Sequence, residues 1–239
     1  FQKITTASLI TLVCILLCQA LHTSASHAII GALMILTPGI AFTMGIRDFV
    51  HGDYLSGTIR MIDALLIAAS IAIGTGLEPV FSAHGGGGRM ISLTNSQIGE
   101  LMGQFLLAGT GTLSFAILFA CPRRSLPTCA LVGAMGWFVY ELCVMLGLGT
   151  AAASLLAVIP LTILTRVFAI LQKTPVTVFL LSGIFPLVPG AGIYYTAYYF
   201  IQGDNALALS NGISTFKVAV ALAVGISLVL SIPLPPRHR

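Results

Sequence analysis

Long apolar runs separated by short polar stretches make up this chain from end to end. A helix needs about 20 mostly apolar residues to cross the hydrocarbon core of a bilayer, and runs of that order recur throughout the chain. We therefore predict an all-α, polytopic membrane protein. The pattern predicts eight transmembrane segments, at residues 4–21, 27–50, 58–80, 98–120, 127–149, 151–171, 175–202 and 212–232.

Two of these segments are interrupted by proline and glycine. The second contains Leu36-Thr-Pro-Gly39, and the seventh contains Ile184-Phe-Pro-Leu-Val-Pro-Gly-Ala-Gly192. Proline removes a backbone donor and clashes with the preceding turn, so each helix should break or kink there. In lipid, a broken helix is tolerated only where it packs within protein or lines a polar cavity. Helices broken at matching points of two halves indicate a transporter binding site.

Both interruptions belong to an internal repeat with an offset of 151 residues. Pro38-Gly39 aligns with Pro189-Gly190, and Gly52-Asp53 aligns with Gly203-Asp204. The similarity matches the first three segments to the last three. The copies begin five crossings apart, and an odd offset makes them run through the membrane in opposite directions, as an inverted-topology repeat.

This symmetry predicts a first repeat at residues 1–83, a glycine-rich connector at 84–97 and a second repeat at 98–239. The second repeat holds five segments and the first holds three. Symmetry therefore predicts two further crossings before Phe1.

Composition narrows the class further. Hydrophobic residues make up 57% of the chain and charged residues 8%, against roughly 25% charged in soluble domains. Basic residues are not clustered with aromatics, so we expect no nucleic-acid partner. The five cysteines show no metal-ligand spacing and no nucleotide-binding motif is present, so we expect neither a metal nor a cofactor.

Basic residues predict the orientation. With eight crossings, both termini share one side of the membrane, and that side carries most of the Lys and Arg residues. By the positive-inside rule, both termini lie in the cytoplasm and the chain is a multi-pass protein of the cell (inner) membrane. The terminal side holds Lys3, Arg47, Arg60, Arg123, Arg124, Arg166, Lys173, Arg237 and Arg239, and the other side holds Arg89 and Lys217.

The first repeat contains the motifs Leu36-Thr-Pro-Gly-Ile-Ala-Phe-Thr-Met-Gly-Ile-Arg-Asp48, Gly52-Asp53, Ser56-Gly57 and Asp63-Ala64-Leu65-Leu66. Through these motifs it resembles the amino-terminal membrane half of the threonine/serine exporter (ThrE-like) family.

The second repeat resembles the carboxy-terminal half of the same family, through Pro186-Leu-Val-Pro-Gly190, Tyr194, Gly203-Asp204 and Ala223-Val-Gly-Ile226. The resemblance implies an exporter of small hydrophilic amino acids driven by the proton gradient. Split relatives associated with succinate leave a dicarboxylate substrate as the alternative.

Half-helices that begin after Pro38-Gly39 and Pro189-Gly190 should present free N–H groups and positive dipole ends at the bilayer midplane. Ends from two inverted copies should converge into an anion pocket suited to a carboxylate. Thr43 can donate its hydroxyl at the same depth, and Tyr194 and Tyr198 share a face near the second break. The alternative is that the prolines only kink helices for packing and that Thr43 bonds to its own helix.

Ionisable residues inside spans are rare and are functional candidates by default. A carboxyl group in low dielectric keeps its proton to higher pH than in water, so Glu141, placed mid-segment, is the first candidate for proton coupling. Asp63 is the second candidate for proton coupling, and it either binds a substrate ammonium or pairs with Arg60. Lys217 binds a carboxylate, pairs with an acid or snorkels to the surface.

Three further aspartates lie near the ends of predicted segments. Asp53 and Asp204 either cap the helices that follow them or form part of a gate. Asp48 belongs to the resembling motif and either shares that gate or pairs with Arg47.

Glycines at helical spacing favour close helix packing, at Gly99-x-x-x-Gly103 and Gly109-Thr-Gly111.

Two other classes were compared with transport. An intramembrane enzyme is disfavoured because no His-Glu-x-x-His or Gly-x-Ser-x-Gly motif is present. A channel should show several polar faces or a ring of polar residues from an oligomer. We expect a secondary transporter whose partners are the small-molecule substrate, protons and the lipid bilayer. A homo-oligomer stays one alternative for its assembly.

Overall fold

The computed structural model describes residues 39–75 and 95–232 together with Val13, and the regular structure of these residues is entirely helical. Two short 3-10 turns, Arg123–Ser125 and Phe185–Leu187, precede the fourth helix and follow the sixth. The α-helices are α1 (Gly39–Val50), α2 (Tyr54–Thr75), α3 (Asn95–Leu118), α4 (Leu126–Met145), α5 (Thr150–Gln172), α6 (Val176–Ile184), α7 (Gly190–Ile201) and α8 (Asn205–Ser231).

Five stretches of the described residues are long and apolar enough to cross a membrane, and they lie in α2, α3, α4 with its preceding turn, α5 and α8. A sixth results if Val176–Leu187 and Gly190–Ile201 form one broken span. The predicted all-α, multi-pass membrane class is confirmed. Segment 4–21, apart from Val13, and the first part of segment 27–50 lie outside the described residues, so the count of eight and the inverted repeat stay predictions.

The break predicted in the seventh segment is present. α6 ends at Ile184, the chain then makes the 3-10 turn Phe185–Leu187, and Val188 is extended. α7 begins directly after Pro189, which has no backbone donor to continue a helix from the preceding turn. The proline-glycine pair therefore separates two helical segments.

A glycine with positive φ ends α1 and allows the chain to turn into α2. Gly52 has φ +84°, and its N–H donates to Phe49 O at 3.0 Å. Asp53 then accepts a hydrogen bond from Ser56 N through Oδ1 at 3.2 Å, which is the geometry of a helix N-cap.

The turn from α7 to α8 repeats this arrangement 151 residues later. Gly203 has φ +83° and donates from its N–H to Phe200 O at 3.2 Å. Asp204 Oδ1 accepts from Leu207 N at 3.0 Å. Asp53 and Asp204 thus hold equivalent capping positions.

The described residues divide into two compact units. Residues 39–75 and 189–219 belong to the first unit, and residues 95–188 and 220–232 to the second. The predicted repeat boundaries at residues 83 and 98 concern internal symmetry, and the connector falls largely in residues 76–94, outside the described part. Those boundaries stay a prediction.

In the first unit, α2 packs against both α1 and α7, and α1 also contacts α7. The crossing of α1 and α2 is close at two glycines: a Cβ added to Gly57 would lie 2.9 Å from Gly45 O. Only residues without a side chain allow the helices to approach so closely.

In the second unit, α4 packs against α3, α5 and α6. Gly133 and Gly136 allow this, because a Cβ at either position would overlap the side chain of Thr112 or Leu161. By contrast, no described residue lies within 4 Å of a Cβ built at Gly99 or Gly103. Within the described part of the chain, the packing role predicted for that glycine pair was therefore wrong.

The other predicted pair gives a mixed result. A Cβ at Gly109 would lie 3.5 Å from Ala134 Cβ, an ordinary packing contact, whereas Gly111 faces open space.

Candidate functional site

Buried glycines lie at the first described residue of α1 and at the start of α7. The described part of α1 runs from Gly39, and α7 begins at Gly190 after its N-cap Pro189. In α7 the first helical hydrogen bond runs from Ile193 N to Pro189 O at 3.2 Å, so the N–H groups before Ile193 have no acceptor within the helix. The start of α7 also carries the positive end of the helix dipole. Pro38 lies outside the described residues.

The fifth residue of each short helix is a buried polar side chain. Thr43 is 0% exposed, and its Oγ1 has no hydrogen-bond partner among the described residues. Tyr194 is 4% exposed, and its ring stacks on Tyr198 with 6.0 Å between centroids. Side chains in a helix tilt toward its N-terminus, so the Thr43 hydroxyl is directed toward the start of α1.

The Thr43 hydroxyl, without a partner among the described residues, differs from the hydroxyls of Thr162 and Thr165. Thr162 Oγ1 donates to Val158 O at 2.7 Å, and Thr165 Oγ1 donates to Leu161 O at 2.9 Å. A buried hydroxyl without a partner costs free energy, about 1–3 kcal/mol in protein mutational data. Thr43 is therefore suited to bind a polar group that the described residues do not supply.

A cavity of about 890 Å³ lies beside these helices, within the first unit. Phe42 and Ile193, the residues that precede Thr43 and Tyr194, both line it. The rest of the lining is largely apolar, and Lys217 is the one charged lining residue in the described part of the chain. The cavity can hold an apolar body and one anionic group.

Lys217 and Asp63 both lie far from the ends of their helices. Lys217 is 12 residues beyond Asn205, about 18 Å along α8, and Asp63 is nine residues beyond Tyr54, about 14 Å along α2. Both side chains are exposed. Asp63 makes no ion pair with any described residue and does not line the cavity.

Asp48 pairs with Arg60, whereas the sequence suggested Arg47 as its partner and Arg60 as the partner of Asp63. Arg60 Nε lies 3.3 Å from Asp48 Oδ2, and Ser56 Oγ donates to the same oxygen at 3.3 Å. The alternatives of an Asp63–Arg60 pair and an Asp48–Arg47 pair were therefore wrong. Arg47 Nε is buried without a hydrogen-bond partner in the described part of the chain.

Glu141 lies closer to a helix end than its sequence position suggested. α4 ends at Met145, so Glu141 is about 6 Å from that end, in the second unit, and is half-buried. One turn earlier, Trp137 Nε1 donates to Gln104 Oε1 of α3 at 2.9 Å. Sequence reasoning missed Gln104, although a glutamine within an apolar run is a usable signal.

The polar cavity residues Thr215 and Asn205 were also missed. Thr215 faces the second glycine of α7: a Cβ added to Gly192 would overlap the Thr215 hydroxyl. The glycine was visible in the sequence, but its partner on another helix was not.

These features define the class of the chain: a multi-pass, all-α membrane protein with a helix interrupted by proline and glycine. Comparison with known families is more specific. The family model described as "Threonine/Serine exporter, ThrE" matches residues 104–232, and a second ThrE model matches residues 1–79. The chain belongs to the threonine/serine exporter family.

Two curated relatives cover most of the chain. The "Threonine/serine exporter" of Corynebacterium glutamicum is 26% identical over 214 residues, which are 87% of this chain and 42% of the relative. The "Probable threonine/serine exporter" of Mycobacterium tuberculosis is 25% identical over 243 residues, 96% of this chain and 45% of the relative. The chain thus spans less than half the length of these relatives. No solved structure matches it.

Proposed function

We propose that this chain is the membrane part of a secondary active transporter that exports small hydrophilic amino acids, with threonine and serine as the first candidates. The names of the two relatives support the substrate. The observation that carries the proposal is the fully buried hydroxyl of Thr43, which has no hydrogen-bond partner among the described residues and lies one turn after Gly39. In α7, the buried Tyr194 lies at the same distance from Gly190.

The substrate carboxylate binds between the starts of these two helices. Free N–H groups after Gly39 and Gly190 donate to its oxygens, together with the hydroxyl of Thr43. Tyr194, with Tyr198 stacked on it, lies at the equivalent position of α7. Pro189 keeps the start of α7 free by preventing a continuous helix, and the sequence predicts the same role for Pro38.

Two acidic side chains bind the substrate ammonium and carry the coupled proton. Asp63, near the middle of α2, binds the substrate ammonium or carries the proton, and Glu141 carries the proton in antiport with the substrate. A carboxyl that exchanges its proton on opposite sides of the membrane couples the proton gradient to export. The chain lies in the inner membrane with both termini in the cytoplasm.

Alternating access follows from the internal repeat. The turns at Gly52-Asp53 and Gly203-Asp204 have the same geometry 151 residues apart, and this supports two equivalent hinges. Asp48, paired with Arg60, closes the gate on one side by joining α1 to α2. Rocking of the two repeats about these turns exposes the site to each side in turn.

A dicarboxylate such as succinate is the second candidate substrate. Lys217 favours it, because it supplies a cation in a cavity whose described lining contains no acid. A dicarboxylate would place one carboxylate at the helix starts and the other at the side-chain ammonium of Lys217.

Counterflow in proteoliposomes tests the proposal, with labelled threonine and labelled succinate compared with and without a pH gradient. Threonine exchange that responds to the gradient is expected, and Asp63→Asn should lower it. Glu141→Gln should keep exchange but lose the response to the gradient, while Lys173→Met, an exposed lysine of the second unit, should match the parent. Succinate exchange without threonine exchange would reject the amino-acid substrate, and no flux of either would reject the transport function.

A further inference from the structure

The cavity of the first unit is larger and more apolar than threonine requires. Its volume of about 890 Å³ lies near the upper end of the range of roughly 300–1,000 Å³ that is usual for sites of drug-sized ligands. Three phenylalanines, Phe42, Phe200 and Phe216, contribute to its wall. A hydroxy amino acid would leave most of this apolar surface without contact.

Lys217 identifies the charge that the occupant must carry. It lies about 18 Å along α8 from Asn205, at a depth where a charged side chain is costly unless it meets an opposite charge or water. The described lining contains no carboxylate to serve as its partner. An occupant with an anionic group of its own supplies one.

The acyl chain of a lipid does not meet both requirements. Leu65 and Phe216 are 53% and 50% exposed, so the cavity is open on one side and an acyl chain could reach its apolar wall. The acyl chain, however, has no anionic group at the depth of Lys217, because lipid charge lies in the headgroup region. Apolar lining together with a single cation fits a small amphipathic anion better.

We propose that this cavity binds a monocarboxylate with a bulky apolar body, with the carboxylate on Lys217 and the body against the phenylalanines. The inference rests on the proposed function in one respect, that the same first unit handles carboxylate substrates. It widens the substrate class from hydroxy amino acids to carboxylates with aliphatic or aromatic bodies, either amino acids with apolar side chains or the corresponding acids without an ammonium group.

Two probes distinguish apolar amino acids from the corresponding acids without an ammonium group. They are labelled L-phenylalanine and labelled 3-phenylpropionate, which has the same apolar body and carboxylate but no ammonium. Equilibrium binding to the full chain in lipid nanodiscs should detect at least 3-phenylpropionate. Lys217→Met should weaken binding by about tenfold or more, the effect of losing one charge-assisted hydrogen bond. Lys173→Met, an exposed lysine of the second unit, should leave binding unchanged.

A second variant keeps the test independent of Lys217. Ala69 lines the cavity and is half-buried, so Ala69→Phe should fill part of the volume and abolish binding of both probes. Thermal unfolding in detergent should confirm that each variant folds. Absence of binding by both probes, or binding that Lys217→Met and Ala69→Phe leave unchanged, would overturn the inference.

Threonine counterflow, measured in parallel, separates this inference from the proposed function. Threonine flux with no binding of either apolar probe would overturn the inference alone. Probe binding that depends on Lys217 without threonine flux would support the inference and reject the hydroxy amino acid substrate.

Discussion

Arg60 of α2 is joined to Asp48 of α1, with Arg60 Nε 3.3 Å from Asp48 Oδ2. The pair lies beside the tight turn at Gly52, where the two helices diverge. It therefore links the C-terminal part of the short helix that carries Thr43 to a helix long enough to span the membrane.

Removing this ion pair should weaken the first unit slightly. Because the Arg60 side chain is 50% exposed, Asp48→Asn should cost roughly 0.2–1 kcal/mol of stability. Thermal unfolding in detergent measures this change. The exchanged double variant, Asp48→Arg with Arg60→Asp, should recover part of the loss. Equal loss in the single and double variants would show that the pairing itself contributes nothing.

Replacing Thr43 by the nearly isosteric valine should separate binding from folding. The Thr43 hydroxyl has no described partner, so Thr43→Val should leave the thermal unfolding midpoint unchanged or raise it. Threonine counterflow should fall by about tenfold, because a hydrogen bond to the carboxylate is lost.

Thr162→Val is the matched control for this prediction. Its hydroxyl donates to Val158 O at 2.7 Å in the second unit, so its loss should leave counterflow of threonine close to the parent rate. Full transport activity in Thr43→Val would remove Thr43 from the site.

Two glycines should respond in opposite directions to alanine. A Cβ at Gly133 would overlap the Thr112 side chain, so Gly133→Ala should destabilise the protein by about 1–3 kcal/mol. A Cβ at Gly103 meets open space, so Gly103→Ala should stabilise its helix by roughly 0.5–1 kcal/mol. Thermal unfolding midpoints that move in the same direction would contradict the packing of α3 on α4.

Replacing either of the two turn glycines by alanine should lower the stability of the protein by a similar amount. Gly52 and Gly203 have φ +84° and +83°, a backbone conformation that costs other residues about 1–2 kcal/mol. Gly52→Ala and Gly203→Ala should therefore each lower the unfolding midpoint by a similar amount. Gly149→Ala, at φ −64° with no neighbour within 4 Å, should be close to neutral. Unequal effects at Gly52 and Gly203 would count against two equivalent hinges.

Arg166 should stabilise the end of α8 within the second unit. Its guanidinium donates to the carbonyl oxygens of Val229 and Ile232, where the last carbonyls of a helix lack partners. Arg166→Met should cost about 2 kcal/mol, measured by thermal unfolding, and Arg166→Lys less. Arg124→Met, an exposed arginine near the start of α4, is the control. A midpoint for Arg166→Met that matches this control would refute the capping role.

Several features of the fold were predictable because their causes are local. The all-helical membrane class follows from the length of the apolar runs. The break before α7 follows from Pro189, and the caps at Asp53 and Asp204 follow from a glycine that ends one helix and an aspartate that begins the next. Each of these depends on residues within a few positions of one another.

The sequence by itself therefore determined the class, the broken helix and the repeated Gly-Asp turns. Tertiary structure alone decided that Arg60 pairs with Asp48 and not with Asp63, that Gly133 and not Gly103 packs against a neighbour, and that Lys217 faces an apolar cavity. These outcomes depend on how each helix is rotated about its axis. A helix that is apolar on all sides contains no pattern that indicates which face is buried, so only the packing of the helices fixes their rotation.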